Sequence, residues 1–365
     1  MKNMKICFLA PANNYHTKKW CKWFAEKGHD VHVISFIDDT IENVTIHFID
    51  SGASVNSSDS RKLAYLLKAG KVKKIIKQLK PDIVNAHYVS SYGAVAALSG
   101  IKSYVLSMWG SDVYDFPTKS FLHKFLVKFS LSRATYLFST SQAMADEAGK
   151  YTNKDITITP FGVDMTLFSP KRQENSTYFT VGTIKSLTPK YGIDTLLRAV
   201  SRVVQQRPDI PLRLKIGGKG EYEKDYKRLA QELGIEPITK WLGFISQERV
   251  AKEWNTMDIA VIPSESESES FGVSAVESSA CACPVIVTDI PGLKETTIPN
   301  KTSLVIPIGD DEQLAEKIIY LYNHPELRLE LGTAGRKFVE EQFEIDKCFK
   351  LIEKKFKEIC RINSQ

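Results

Sequence analysis

The 365-residue sequence predicts two α/β units in tandem, each a doubly wound parallel sheet. Three observations carry that prediction. The chain is longer than the roughly 250 to 300 residues that one packed core supports. Short apolar runs alternate with amphipathic helical stretches twice over, once before residue 165 and again from Tyr178 onward. The composition, 43% hydrophobic and 25% charged, is that of a globular chain and excludes global disorder.

In the first half, Lys5–Ala10 reads as a buried strand, followed by a loop and a helix over Thr17–Lys27. Trp20, Trp23 and Phe24 supply the apolar face of that helix, and Gly28 stops it. Strands follow at Asp30–Phe36, Asp82–Ala86, Tyr104–Trp109 and Tyr136–Thr140, with a helix over Lys62–Leu79. The second series runs strand Phe179–Val181, helix Ile193–Gln206, strand Leu212–Ile216, helix Glu223–Leu233 and strand Ile238–Leu242. It continues through helix Gln247–Asn255, strand Ile259–Ile262, helix Ser274–Ala280 and strand Pro284–Val287, then charged helices around Glu312–Asn323 and Glu326–Glu341. The domains are expected at 1–168 and 169–344, joined by a linker over Phe168–Ser176. A final helix within 345–365 is expected to pack back on the first domain. In such a pair the chemistry is expected in a cleft between the domains, outside the carboxyl ends of the strands.

No stretch approaches 18 consecutive apolar residues, so no membrane-spanning helix is expected. The run after Met1–Lys5 is too short for a signal-peptide core. Six irregularly spaced cysteines make no disulfide framework, which points to a reducing cytoplasm. The sequons at Asn43, Asn56, Asn175 and Asn300 then read as chance matches. The net charge of +6 is uneven: residues 1–165 carry +7 and the remainder −1. Two basic stretches, 61–80 and 118–133, hold no acidic residue and carry apolar residues at helical spacing. Each fits either an anionic membrane surface or an ordinary helix packed on the sheet with solvated lysines. No nucleic-acid module is recognised, and the second half is slightly acidic, so nucleic acid is not an expected partner.

The most informative segment is Pro263–Val287, PSESESESFGVSAVESSACACPVIV. A strand enters a polar loop, Phe271 and Gly272 open a helix, and Glu269 and Glu277 are separated by seven intervening residues. A carboxylate accepts two hydrogen bonds in a fork and so suits a vicinal diol. Gly272 permits close backbone approach, and amides at a helix start suit phosphate. Glu265 and Glu267 read as solvated loop residues. A basic loop within Tyr178–Leu196 carries Lys185 and Lys190, point charges suited to a diphosphate leaving group. Lys215–Gly220 is a glycine turn between strand and helix, without the full dinucleotide fingerprint.

These motifs resemble the donor-site signature of the family 4 retaining glycosyltransferases, which have the GT-B fold of two facing Rossmann-like domains. The resemblance is close over residues 178–290 and loose over 5–345. It implies that Glu269 holds donor-sugar hydroxyls, that the amides of Phe271, Gly272 and Val273 meet sugar and diphosphate, and that Glu277 binds the ribose. Lys190 matches the family's lysine, with Tyr191 inserted before Gly192. Thr183 stands where the family has arginine, and Lys185 is the candidate substitute. Gly182, Thr183 and Gly218 join the donor-binding set, and Trp241 and Leu242 resemble the edge that receives the base. Ala282 replaces a usual glycine between Cys281 and Cys283, and that pair reads as a tight buried turn.

In the first half, His87 ends a strand, and Trp109-Gly-Ser-Asp112 stands where the family often has a histidine motif. His87 is open to a structural or a direct role. Asp112 is a candidate for the acceptor hydroxyl or for orienting another group. The family's glycine pair after the first strand is absent, and the resemblance implies that Asn13, Asn14, His16 and Thr17 in that loop do comparable work beside the sugar or diphosphate. Phe161–Asp164 resembles the family's turn before the linker. The candidate catalytic set is thus Glu269, Lys190, Lys185, Asp112 and His87.

The resemblance implies transfer of a sugar from a nucleotide-sugar donor, UDP favoured over GDP, with retention at the anomeric carbon. No metal and no cofactor are expected, since no Asp-x-Asp motif occurs. The implied acceptor is a glycan or lipid-linked glycan of cell-surface polysaccharide such as lipopolysaccharide or capsule. A nucleotide-sugar 2-epimerase on the same fold is the alternative, with His87 and Asp112 its only acid/base hints.

Overall fold

The computed structural model describes residues 3–52, 63–171 and 177–363. Asn56, Asn175, Arg61, Lys62 and most of the expected linker (172–176) lie outside the described residues. The chain divides into two compact units. Unit 1 takes residues up to Phe161 together with those from Cys348 onward, and unit 2 takes Gly162–Lys347. The chain therefore changes unit just before the linker region, at the Phe161-Gly162 step, and again at Lys347-Cys348. In unit 2 the two ends run side by side: Val163 N–H donates to Phe343 O at 2.7 Å and Ile345 N–H to Val163 O at 3.0 Å.

Unit 1 contains a seven-stranded parallel sheet in the order β3-β2-β1-β4-β5-β6-β7. Its strands are β1 (Lys5–Leu9), β2 (Asp30–Ser35), β3 (Thr45–Phe48), β4 (Ile83–His87), β5 (Val105–Met108), β6 (Tyr136–Ser139) and β7 (Ile156–Ile158). Its helices are α1 (Tyr15–Glu26), α2 (Ala69–Leu79), α3 (Gly93–Leu98), the single turn α4 (Ser111–Tyr114), α5 (Phe121–Arg133) and α6 (Gln142–Gly149). The expected helix from residue 62 is 3₁₀ over Leu63–Lys68 and α-helical only from Ala69. β3, α3, α6 and β7 escape the sequence reading because they are short and, like the exposed β3, weakly patterned.

The strands are parallel and mostly buried on both faces, so they read as apolar runs rather than alternating ones. The last helix, α14 (Ile345–Asn363), covers the α1 side. Its Phe349 meets Trp20 and Trp23, its Phe356 meets Phe24 and Phe138, and Glu353 accepts from His29 Nε2 at 3.0 Å. Each such fully buried aromatic contributes about 1.5–3 kcal/mol.

Unit 2 contains a six-stranded parallel sheet in the order β10-β9-β8-β11-β12-β13. The strands are β8 (Phe179–Ile184), β9 (Leu212–Gly217), β10 (Thr239–Gly243), β11 (Ile259–Ile262), β12 (Val285–Thr288) and β13 (Ser303–Ile306). Between them lie α7 (Ile193–Gln206), α8 (Glu223–Glu232), α9 (Gln247–Trp254), α10 (Val273–Ala280) and α11 (Pro291–Thr296), followed by α12 (Asp311–Asn323) and α13 (Pro325–Gln342). Both sheets have the Rossmann arrangement, in which strand order reverses between two central strands. Those switch points are β1/β4 in unit 1 and β8/β11 in unit 2. Among the described residues no helix is long and apolar enough to cross a membrane.

Two basic helices

The two basic stretches differ. α2 packs through Val72, with Ile75, Ile76 and Leu79 partly buried against the core, while Leu67 in the 3₁₀ segment before it is 85% exposed. α5 buries Val127 and Leu131 but leaves Phe121, Leu122 and Phe125 exposed by 80%, 75% and 59%. Packing on the sheet therefore accounts for the second half of α5 and not for its first two turns.

Candidate functional site

The unit-2 candidates converge because β8 and β11 are neighbours. That pairing sets the basic loop after β8 beside the acidic loop after β11. Lys185 Nζ donates to Glu269 Oε2 at 2.7 Å, an ion pair whose side chains are only 9% and 7% exposed. Ser264 Oγ donates to the same oxygen at 3.4 Å. Lys190 Nζ donates to Ser268 Oγ at 3.0 Å, one residue along the same loop. Both ammonium groups lie over the Tyr191 ring, at 4.8 and 4.9 Å from its centroid.

Backbone approach here is closer than a side chain would allow. A Cβ on Gly218, which has φ +124°, would fall 1.8 Å from Lys185 O. One on Gly192, at φ +59°, would fall 1.9 Å from Pro263 O. The glycine turn, the basic loop and the acidic loop thus pack backbone against backbone. Glu265 N–H donates to Lys190 O at 2.8 Å, and its carboxylate accepts from Thr195 Oγ1 of α7. That corrects the reading of Glu265 as a solvated loop residue; Glu267 is exposed as expected.

α10 begins at Val273 behind Gly272, which is left-handed at φ +69° with no side chain capping the first-turn amides. A Cβ there would meet Leu293 Cδ2 at 2.6 Å. Ser274 Oγ donates to Ile184 O at 2.8 Å, fixing the helix start to the end of β8. Phe271 is buried against Phe343. Glu277 is 7% exposed on the second turn of α10. Gly182 sits inside β8, where a Cβ would meet Lys215 O at 2.7 Å. Thr183 is fully buried and its hydroxyl has no protein partner. Trp241 packs partly on the unit-2 core, and at Leu242 the β9–β10 register shifts by one residue. Gly243 O then accepts from Gly218 N–H at 2.8 Å, tying this edge to the glycine turn. The Cys281–Cys283 turn is buried, and Ala282 within it is left-handed at φ +55°. Burial pushes the Cys281 thiol up to about 12.

The unit-1 candidates also gather at a switch point, and their polar atoms are differently used. Asn14 caps α1, accepting from the amides of His16 and Thr17 at 2.9 and 3.2 Å, and its Nδ2 donates to Tyr88 Oη at 3.2 Å. Tyr88 itself is held at φ +65°, an uncommon conformation for a bulky residue. Asp112 is 3% exposed, and its carboxylate accepts from the amides of Val89, Gly110 and Trp109 at 2.8, 2.8 and 3.2 Å. Burial raises its carboxyl above the ordinary range, against the pull of those amides. It orients the loops after β4 and β5.

His87 is fully buried among Trp109, Trp20 and Phe8, with centroid distances of 4.2, 5.0 and 5.4 Å. Its Nε2–H donates to Asn85 Oδ1 at 3.0 Å, and burial lowers its pKa to about 3. His16 stacks on Phe161 at 4.1 Å, and burial, then the charge of Lys19, holds it well below the ordinary imidazole range. Both imidazoles are neutral near pH 7.

Sequence reasoning missed Tyr191, Ser264, Ser268 and the Thr195–Glu265 contact. A tyrosine inserted between Lys190 and Gly192 was the one signal available for Tyr191. The serines looked like loop filler.

The family model of the glycosyl transferases group 1 matches residues 164–338, and that of the glycosyl transferase 4-like family matches residues 5–141. An uncharacterized glycosyltransferase of Methanocaldococcus jannaschii is 26% identical over 91% of each chain. A GDP-mannose-dependent monoacylated α-(1-6)-phosphatidylinositol monomannoside mannosyltransferase of Corynebacterium glutamicum is 31% identical over 50% of this chain, and the match spans 51% of that protein. Among solved structures, Anabaena HepE in complex with UDP-glucose shares the fold with TM-score 0.79 and 18% identity, covering 98% of this chain and all of that one.

Proposed function

The chain belongs to the group 1 glycosyl transferases, with the GT-B fold, and on that premise we propose that it transfers a hexose from a UDP-sugar to a lipid-linked glycan with retention and without metal. The observation that carries the donor part is the buried Lys185–Glu269 pair, with Lys190 beside it, at the uncapped start of α10. An anionic diphosphate suits two lysines and helix amides. A carboxylate freed from its lysine suits sugar hydroxyls. Glu277, two turns into α10, suits the ribose diol. The acceptor's proton goes to a phosphate oxygen of the departing nucleoside diphosphate, so no protein nucleophile takes part. UDP is preferred over GDP here because it is the commoner donor in the family; relatives and neighbours whose names carry each nucleotide support a nucleotide-sugar in general.

A thermal-shift screen with UDP-, GDP- and ADP-sugars tests the reading, since a bound donor raises apparent stability by mass action. A shift with UDP-glucose or another UDP-sugar is expected. Glu277→Ala should weaken it, and an unchanged shift in that variant would remove Glu277 from the site. The 2-epimerase reading gains no support, because His87 is fully buried and Asp112 is engaged by three amides.

The lipid-linked acceptor is supported by α5. Phe121, Leu122 and Phe125 stand exposed beside Lys119, Lys124 and Lys128, and no acidic residue occurs from 116 to 145. An apolar wedge amid basic residues suits an anionic bilayer surface on the cytoplasmic side. Flotation with phosphatidylglycerol vesicles at physiological salt is expected to carry the protein, and phosphatidylcholine vesicles are expected to leave it behind. Substituting Phe121 and Phe125 by serine should abolish flotation; equal flotation of that variant would sink the wedge.

A further inference from the structure

Lys185 and Lys190 pose a problem of charge. Both ammonium groups are held at adjacent residues of one loop, Lys185 at Glu269 and Lys190 at Ser268. The group both of them share is the Tyr191 ring, which lies 4.8 Å from one nitrogen and 4.9 Å from the other. An aromatic face carries negative quadrupole charge and attracts a cation most strongly where water is thinned out. The ring's anchorage is firm. Tyr191 ends a 3₁₀ turn, its amide donating to Thr188 O at 3.2 Å. The next residue, Gly192, is pressed so close to Pro263 O that no side chain fits.

We propose that Tyr191 is a positioning residue that gathers the Lys185 and Lys190 ammonium groups at one aromatic ring and presents them together to the donor's diphosphate. This rests on the donor reading above. Thr183 offers only a buried hydroxyl where the family has an arginine, so a planar five-donor group is replaced by the point charge of Lys185, beside that of Lys190. Two lysines on flexible stems need a common anchor to act as one binding unit. The ring provides it. When a diphosphate arrives, Lys185 can leave the Glu269 carboxylate without leaving the ring, which frees Glu269 for sugar hydroxyls.

The test is calorimetric titration of the full chain with UDP and with GDP. Tyr191→Leu is expected to weaken the tighter nucleotide about tenfold, and Tyr191→Phe to restore binding to within about twofold of the parent. In a Lys190→Met background the leucine substitution should cost clearly less than in the parent, because one of its two partners is already gone. If the leucine variant loses its cooperative thermal transition, Tyr191→Met serves in its place with the same expectation. Leucine and phenylalanine variants that bind alike, or strictly additive losses with Lys190→Met, would overturn the proposal. If Lys185→Met and Lys190→Met weaken binding and Tyr191→Leu does not, the donor reading stands and this inference alone falls. If the parent binds neither nucleotide, both fall together.

Discussion

The two sheets reverse strand order in the same way, yet their switch points are furnished differently. At β8/β11 charged side chains meet polar or charged partners: Lys185 with Glu269, Lys190 with Ser268, Glu265 with Thr195. At β1/β4 the side chains are neutral and aromatic. His16, Trp20, His87 and Trp109 form one nest, and their Nδ1 or Nε1 atoms, with Thr17 Oγ1, are buried without protein partners. The one carboxylate there, Asp112, is consumed by backbone amides. Identical topology therefore does not decide chemistry. The loops at the strand ends do, by either pairing charge or excluding it.

The largest expected effect sharpens this contrast through pH. The folded pKa of His87 lies near 3, and that of His16 well below its ordinary value. The unfolded chain therefore binds more protons than the folded one below about pH 6.5. The His87 contribution is full above that value and falls as the pH drops toward about 3, by up to about 1.4 kcal/mol per pH unit, and His16 acts in the same direction. The raised Asp112 carboxyl works the opposite way, its contribution being greatest in acid and fading as pH rises through the folded value. Acid unfolding followed by tryptophan fluorescence should report unit 1 (Trp20, Trp23, Trp109) before unit 2 (Trp241, Trp254). His87→Phe should flatten the acid limb; an unchanged limb would break the contrast.

Next in size is Glu269→Ala. It leaves the Lys185 ammonium buried without its counter-charge, which is expected to cost about 3–5 kcal/mol in denaturant unfolding. A cost below about 1 kcal/mol would mean that the pair is not the organising contact of the β8/β11 loops. Asp112→Ala is expected to cost about 1–3 kcal/mol, since it strands three buried amides. Its effect on nucleotide binding should be small beside that of the unit-2 variants. A nucleotide-binding loss as large as that of Glu277→Ala would erase the division of labour. The smallest effect carries the opposite sign. Ala282→Gly relieves a left-handed alanine and should raise stability by about 1 kcal/mol, measured as Tm.

Much of this was legible in advance for a plain reason. Parallel strands buried on both faces are local apolar runs, and α7 and β11 were bounded to the residue by their own sequence. The Glu269–Glu277 spacing is likewise local, since one loop and one helix carry both. α3, α6, β7 and β13 were missed because short elements depend on neighbours for their stability rather than on their own pattern. His87 and Asp112 both stood in the candidate catalytic set because a strand-end position says nothing about what closes over it.

The sequence by itself determined two Rossmann-like units and a donor-type signature in the second, because hydrophobic period and motif spacing are properties of neighbouring residues. Only the tertiary structure decided which charges meet. Lys185 and Glu269 lie 84 residues apart and come together because β8 and β11 are adjacent in the sheet. It also decided that α2 packs its apolar face against the core while α5 leaves Phe121, Leu122 and Phe125 in the open. Amphipathic period shows that a helix has an apolar face, and the surface left uncovered depends on how much of the sheet and its neighbours lies beneath it.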